Sequence, residues 1–99
     1  MTLRHIVTWK LASESAEERA EQAARITREL RGLVGVVPTI QTLSVGADVV
    51  GGGNWDLALV ADFADADALD AYQTHPAHQA IVGYVRSVVS SRSAVDFEL

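Results

Sequence analysis

Seven consecutive residues, Tyr72-Gln73-Thr74-His75-Pro76-Ala77-His78, gather most of the groups in this chain that can move a proton near neutrality. They hold two of its three histidines, one of its two tyrosines and one of its two prolines. An imidazole beside a phenol can take a proton from an activated carbon while the hydroxyl holds the oxygen on which charge collects. Pro76 suits the first position of a helix, which puts His78 in the first turn on one stripe with Ile81 and Val85. The positive end of the helix dipole and partial burial both disfavour imidazolium, so a neutral, proton-accepting His78 is expected. Tyr72, six residues back across the proline break, is placed to stand near it. His5 shares one side of an N-terminal strand pattern with Val7 and Trp9, and points into the same interior if that side faces the helices.

Each of these groups also has a plainer use. A strand histidine commonly completes a core, a tyrosine on a helix stripe commonly packs, and His75, just before the proline, is expected to cap a helix or meet solvent. His75 and His78 stand three apart but flank a helix start, with no carboxylate at ligand spacing on that stripe, so no metal is expected. The absence of cysteine excludes disulfides and thiolate chemistry. Ser87, Ser90, Ser91 and Ser93 lie in no nucleophile elbow. Gly51-Gly52-Gly53-Asn54 precedes a strand pattern rather than a helix, which makes it a hairpin loop and not a phosphate cradle.

The elements that position these groups follow from periodicity. Leu3 to Leu11 alternates with period two and reads as a strand. Ser15-Ala16-Glu17-Glu18 forms a capping box for a helix running to about Leu33. Its expected buried stripe is Ala16, Ala20, Ala23, Thr27, Leu30 and Val34, widened by Ile26 and Leu33. Acidic Glu17, Glu18 and Glu21 precede basic Arg25, Arg28 and Arg31, as the helix dipole favours. Gly32, Gly35 and Pro38 stop that helix. Thr39 to Val49 and Trp55 to Phe63 are strands, Asp65 caps a second helix that Pro76 closes, a third helix runs from Ala77 to about Ser87, and Ser93 to Glu98 is a last strand.

The order β-α-β-β-α-β is the ferredoxin-like pattern, an α+β class with both helical layers on one face of the sheet. The other face would carry Ile6, Thr8, Ala58 and Val60, too apolar to remain in water. A second copy covering it gives a homodimer with a barrel between two sheets. The 99 residues make one domain, 1–99, with 48% hydrophobic residues and a mean hydropathy of +0.13, high for so small an interior. A net charge of −5 disfavours nucleic acid and anionic membrane as partners. With no signal-like N-terminal run and no apolar stretch of about 20 residues, a cytoplasmic protein is expected.

His5-Ile6-Val7, Trp55-Asp56-Leu57-Ala58-Leu59-Val60 leading to Phe63, and above all Tyr72 to His78 resemble the stress-responsive dimeric α/β-barrel (Dabb) family over nearly the whole chain. The resemblance implies a ferredoxin-like protomer paired into a barrel. One plant member, olivetolic acid cyclase, folds a linear polyketide thioester by aldol condensation without a cofactor. By that likeness Tyr72 and His78 carry the chemistry, His5 lies in the pocket and Asp96 orients His78. Leu57 stands where the plant enzyme has another histidine, and Ala24 and Thr27 stand where its first helix has aromatics, so the substrate tail must differ. Alternation alone turns Val95 and Phe97 toward the helices and Asp96 away, unless a bulge intervenes. The expected function is therefore a homodimer binding a small hydrophobic, aromatic or polyketide-like molecule, as a cofactor-independent aldol-type cyclase. The alternatives are a non-catalytic ligand-binding dimer and a cofactor-free monooxygenase on a similar barrel.

Overall fold

In a computed structural model, which describes residues 1–99, the alternating N-terminal segment becomes strand β1 (Leu3–Leu11), with helix α1 (Ala16–Arg31) after it. Strands β2 (Thr42–Ala47) and β3 (Leu57–Phe63), helices α2 (Ala66–Thr74) and α3 (Pro76–Val88), and strand β4 (Val89–Glu98) complete the chain. The four strands form one antiparallel sheet in the order β2-β3-β1-β4. This is the ferredoxin-like arrangement, with its second helix broken in two at Pro76. No helix is long and apolar enough to cross a membrane.

The period-two pattern of the central strands sorts their side chains onto two faces. His5, Val7, Trp9 and Leu11 of β1 and Leu57, Leu59, Ala61 and Phe63 of β3 are buried beneath the helices. Leu69, Tyr72, Ile81 and Val85 close over them from α2 and α3. The expected stripe of α1 is displaced around the helix. Ala23, Ile26, Leu30 and Leu33 are the buried set, whereas Ala16, Ala20 and Val34 are exposed and Thr27 only half-buried. Small alanines satisfy helical spacing but supply little apolar area, so the larger side chains decide which face turns inward.

Local capping explains where the helices begin. The Ser15 hydroxyl accepts the Glu18 N–H at 3.2 Å, but the reciprocal half of the expected box is absent. The Ser15 N–H donates to Ser13 Oγ, and the Glu18 carboxylate accepts from Gln22 one turn later. Asp65 caps α2 by accepting the Ala68 N–H at 2.8 Å. Asp48 closes the β2–β3 loop, accepting from the Gly51 N–H and the Asn54 amide. Gly51, Gly52 and Gly53 all take positive φ there, which only glycine adopts without strain.

Ile6, Thr8, Ala58 and Val60 lie on the face that carries no helix, as their parity requires. That face also holds the forked ion pair of Arg4 with Asp62, at 2.9 and 3.0 Å, to which the Thr42 hydroxyl adds a hydrogen bond. The last strand departs from the expected alternation. It begins at Val89 rather than Ser93, and a register shift against β1 falls between Lys10 and Leu11. Pairing with β1 then places Phe97 opposite Arg4 and Val95 opposite Ile6, on the helix-free face, and Asp96 opposite His5 on the helix side. The neighbouring strand, not the hydrophobicity of β4 itself, fixes that parity.

Candidate active site

The break at Pro76 builds the site. In a continuous helix the Ala77 N–H would donate to the Gln73 carbonyl four residues back. Instead it donates to His75 Nδ1 at 3.0 Å, so His75 is the N-cap of α3 and the Gln73 carbonyl is left free. That carbonyl accepts from His78 Nδ1 at 3.1 Å and from the Gln79 amide at 2.6 Å. A carbonyl can only accept, so the proton of neutral His78 is assigned to Nδ1 and the lone pair to Nε2.

The break also folds Tyr72 against His78, with ring centroids 4.4 Å apart at 51°. Phe63 packs on the other side of the phenol at 5.1 Å, and His5 meets Tyr72 edge-on at 6.4 Å. Tyr72 is 1% exposed, and burial pushes its hydroxyl up to about 12, against a small opposing pull from Arg92. It therefore remains a proton donor throughout the physiological range. Burial lowers the His78 pKa from its ordinary value; the Gln73 carbonyl opposes this, and the charges of His5 and Arg92 add to it. The neutral imidazole expected at this position is the form that the surroundings favour.

His5 and Asp96 make a second unit. The buried His5 ring presents Nδ1 to the Asp96 carboxylate in a close hydrogen bond. A carboxylate only accepts, which assigns a proton to Nδ1 here as well and turns Nε2 away from Asp96. This redistributes the expected roles: Asp96 lies at the exposed edge of the helix side and orients His5, while His78 is oriented by the Gln73 backbone. The cause is the register, which makes Asp96 the direct cross-strand neighbour of His5.

A cavity of about 330 Å³ opens beside these groups, between the sheet and α3. His5, Tyr72 and His78 line it together, and most of its wall is apolar, including Val7, Trp9, Leu59, Ile81 and Val82. Leu57 is buried outside it, and α1 contributes only Leu30. Ala24 and Thr27 face a separate shallow groove against the end of β2, so their small size does not shape this cavity. Three contributors were not apparent from sequence alone: the Gln73 carbonyl, Arg86 and Arg92. Arg86 stands eight residues after His78 on the same helix face, and Arg92 four before Asp96 on the same strand face. The second spacing has meaning only once β4 is known to start at Val89.

Comparison with known proteins places this geometry among relatives. The profile of the stress responsive A/B barrel domain matches residues 3–99. A dimeric protein of unknown function from Bacteroides fragilis superposes with a TM-score of 0.93 at 28% identity, covering 99% of this chain and 96% of its own. A dimeric ferredoxin-like protein of unknown function from Thermobifida fusca gives 0.85 at 31% identity, covering 100% and 92%. The hydroxynitrile lyase of Passiflora edulis gives 0.79 at 13% identity, covering 99% and 93%, a likeness of fold alone. No curated protein matches the chain.

Proposed function

The chain belongs to the stress responsive A/B barrel (Dabb) family, and from that membership we propose that it is a homodimer whose interior cavity binds a small aromatic or polyketide-like molecule and closes it by a cofactor-independent aldol reaction. The observation that carries this reading is the Tyr72–His78 stack on the wall of the cavity, with His78 Nε2 unprotonated and the Tyr72 phenol protonated. A structure with no room beside His78 would have favoured a purely architectural role.

Protons between two carbonyls are already acidic, so the reaction asks little of the protein. His78 Nε2 takes one such proton, and the Tyr72 hydroxyl donates a hydrogen bond to the resulting enolate oxygen. The enolate carbon then attacks a second carbonyl carbon of the same chain, forming the new carbon–carbon bond. The alkoxide left on that carbon recovers the proton from the His78 imidazolium. His5, held by Asp96, lines the same space. The apolar wall holds the chain folded, which converts a search among conformations into a near-attack geometry.

The second copy covers the helix-free face. That reading is supported by Val95 and Phe97, 59% and 40% exposed there in a single chain, by Ile6 and Val60 beside them, and by the dimeric relatives.

Proton abstraction can be tested without the natural substrate. In D₂O the protein should accelerate exchange of the central protons of an acetoacetyl thioester, followed by ¹H NMR. His78→Ala should remove roughly 10²–10⁴-fold of that acceleration. No acceleration by the wild type, or rates unchanged by both His78→Ala and Tyr72→Phe, would leave a non-catalytic ligand-binding dimer as the function.

A further inference from the structure

The cavity has two chemically different ends. On α3, His78, Val82 and Arg86 stand four residues apart on one helix face and all line it. On β4, Asp96 and Arg92 lie on one strand face, paired with His5 and Trp9 of β1. Eight helical residues rise about 12 Å and four strand residues about 13 Å, so the two walls match in length. Arg86 and Arg92 flank the direct junction of α3 with β4 at Val88 and Val89, which brings them to one end. His5, Tyr72 and His78 hold the other, near enough that the Arg92 charge is felt at Tyr72 and His78.

Both arginines lack an acidic partner. Arg4, Arg19 and Arg25 each reach a carboxylate within 4.0 Å, whereas Arg28, Arg31, Arg86 and Arg92 reach none, and of these four only Arg86 and Arg92 line this cavity. What sets Arg86 and Arg92 apart is their place: both are solvated at the mouth of one cavity, where their guanidinium groups are free to meet an anionic ligand. A guanidinium matches a carboxylate with two parallel N–H donors, and an uncharged group cannot replace that pairing. At about 330 Å³ the interior takes a ring and a short chain but not a nucleotide.

We propose that Arg86 and Arg92 form a carboxylate-binding end of this cavity, so that its ligand is a small aromatic or oxo acid held by its carboxylate with the reacting carbon toward His78. The inference rests on the reading of this cavity as the ligand site. It adds polarity and direction: the acid group enters beside the α3–β4 junction and the carbon skeleton lies along Val82 and Val7.

The test is an NMR titration of the full ¹⁵N-labelled chain with 3-phenylpropionate and with its neutral analogue 3-phenylpropanamide. The acid should bind roughly tenfold or more tightly than the amide, and raising the salt from about 0.05 to about 0.5 M should weaken the acid alone. Arg86→Gln and Arg92→Gln should each erode that preference and the double variant abolish it, while the amide's affinity stays level. Equal affinities for acid and amide, a preference that survives in the double variant, or no saturable binding of either compound overturns the proposal. His78→Ala separates it from the catalytic reading. An acid preference kept in that variant, together with proton exchange that His78 does not affect, upholds the carboxylate end and removes the aldol reaction.

Discussion

Tyr72→Phe separates a catalytic phenol from a packing tyrosine, because the structure assigns opposite consequences to stability and to turnover. The ring is wedged between Phe63 and His78 and is 1% exposed, but no protein hydrogen bond holds its hydroxyl toward the cavity. Removing that oxygen keeps the packing and leaves no partner stranded, so unfolding free energy at pH 7 should change by less than about 1 kcal/mol. The pH dependence should change more. In the folded protein the phenol ionises near 12, against an ordinary value of 10.0. A raised folded-state pKa gives stability that is complete below about pH 10 and lost as the pH climbs toward 12. Near pH 11 the unfolded phenol is about nine-tenths ionised and the folded one about one-tenth, a loss of about 1.4 kcal/mol. Urea unfolding at fixed protein concentration, at pH 8 and pH 11, should show that loss in the wild type beyond whatever Tyr72→Phe shows. Proton exchange into an acetoacetyl thioester should meanwhile fall by roughly 10²–10³-fold in the variant. Equal alkaline losses in the two proteins, or a Tyr72→Phe destabilised by several kcal/mol at pH 7, would refute the placement of the hydroxyl in an unbonded position on the cavity wall.

Other outcomes follow from the same geometry. Turnover should rise with pH through a value below the ordinary histidine pKa of 6.5, because His78 must be neutral to accept a proton, and then stay level to high pH; a pH–rate profile of kcat/KM measures this. Stability should fall on acidification through the same histidine, since its folded-state pKa is depressed and the unfolded chain binds the extra proton first; urea midpoints at pH 7 and pH 5 for wild type and His78→Phe report the difference. Asp96→Asn should remove the low-field ¹H resonance of the His5 Nδ1 proton and leave that of His78 in place, since only His5 donates to that carboxylate. Ile26→Ala, at a fully buried position, should cost about 2–5 kcal/mol in chemical unfolding. Val60→Glu on the helix-free face should convert a sedimenting dimer to a monomer, and a wild type already monomeric at micromolar concentration would contradict the dimer.

Much of the fold is legible in the sequence because it rests on local physics. Alternation from Leu3 to Leu11 defined β1 to the residue, Ser15 and Asp65 fixed the starts of two helices, and Pro76 marked the break between α2 and α3. The displaced stripe of α1 shows where spacing runs out. Alanine, threonine and valine positions share one periodicity with the bulkier set, and only packing against the sheet selects Ile26 and Leu33 over Thr27 and Val34.

The same division runs through the site. The sequence by itself placed a helix N-terminus before His78 and a tyrosine one break away, since a proline dictates both through its missing N–H and fixed φ. It also turned His5 inward, since strand parity follows from its neighbours Val7 and Trp9. Only the tertiary structure decided which partner each imidazole takes. The Gln73 carbonyl is a backbone group that no residue type reveals, and it becomes available to His78 because Ala77 bonds to His75 instead. Asp96 and Arg92 turn toward the helices because β4 must register on β1 across a bulge, a pairing between strands about 90 residues apart that β4's own hydrophobic pattern opposes. Strand pairing satisfies most of the backbone groups along β1 at once, and against that the preference of Val95 and Phe97 for the interior is outweighed.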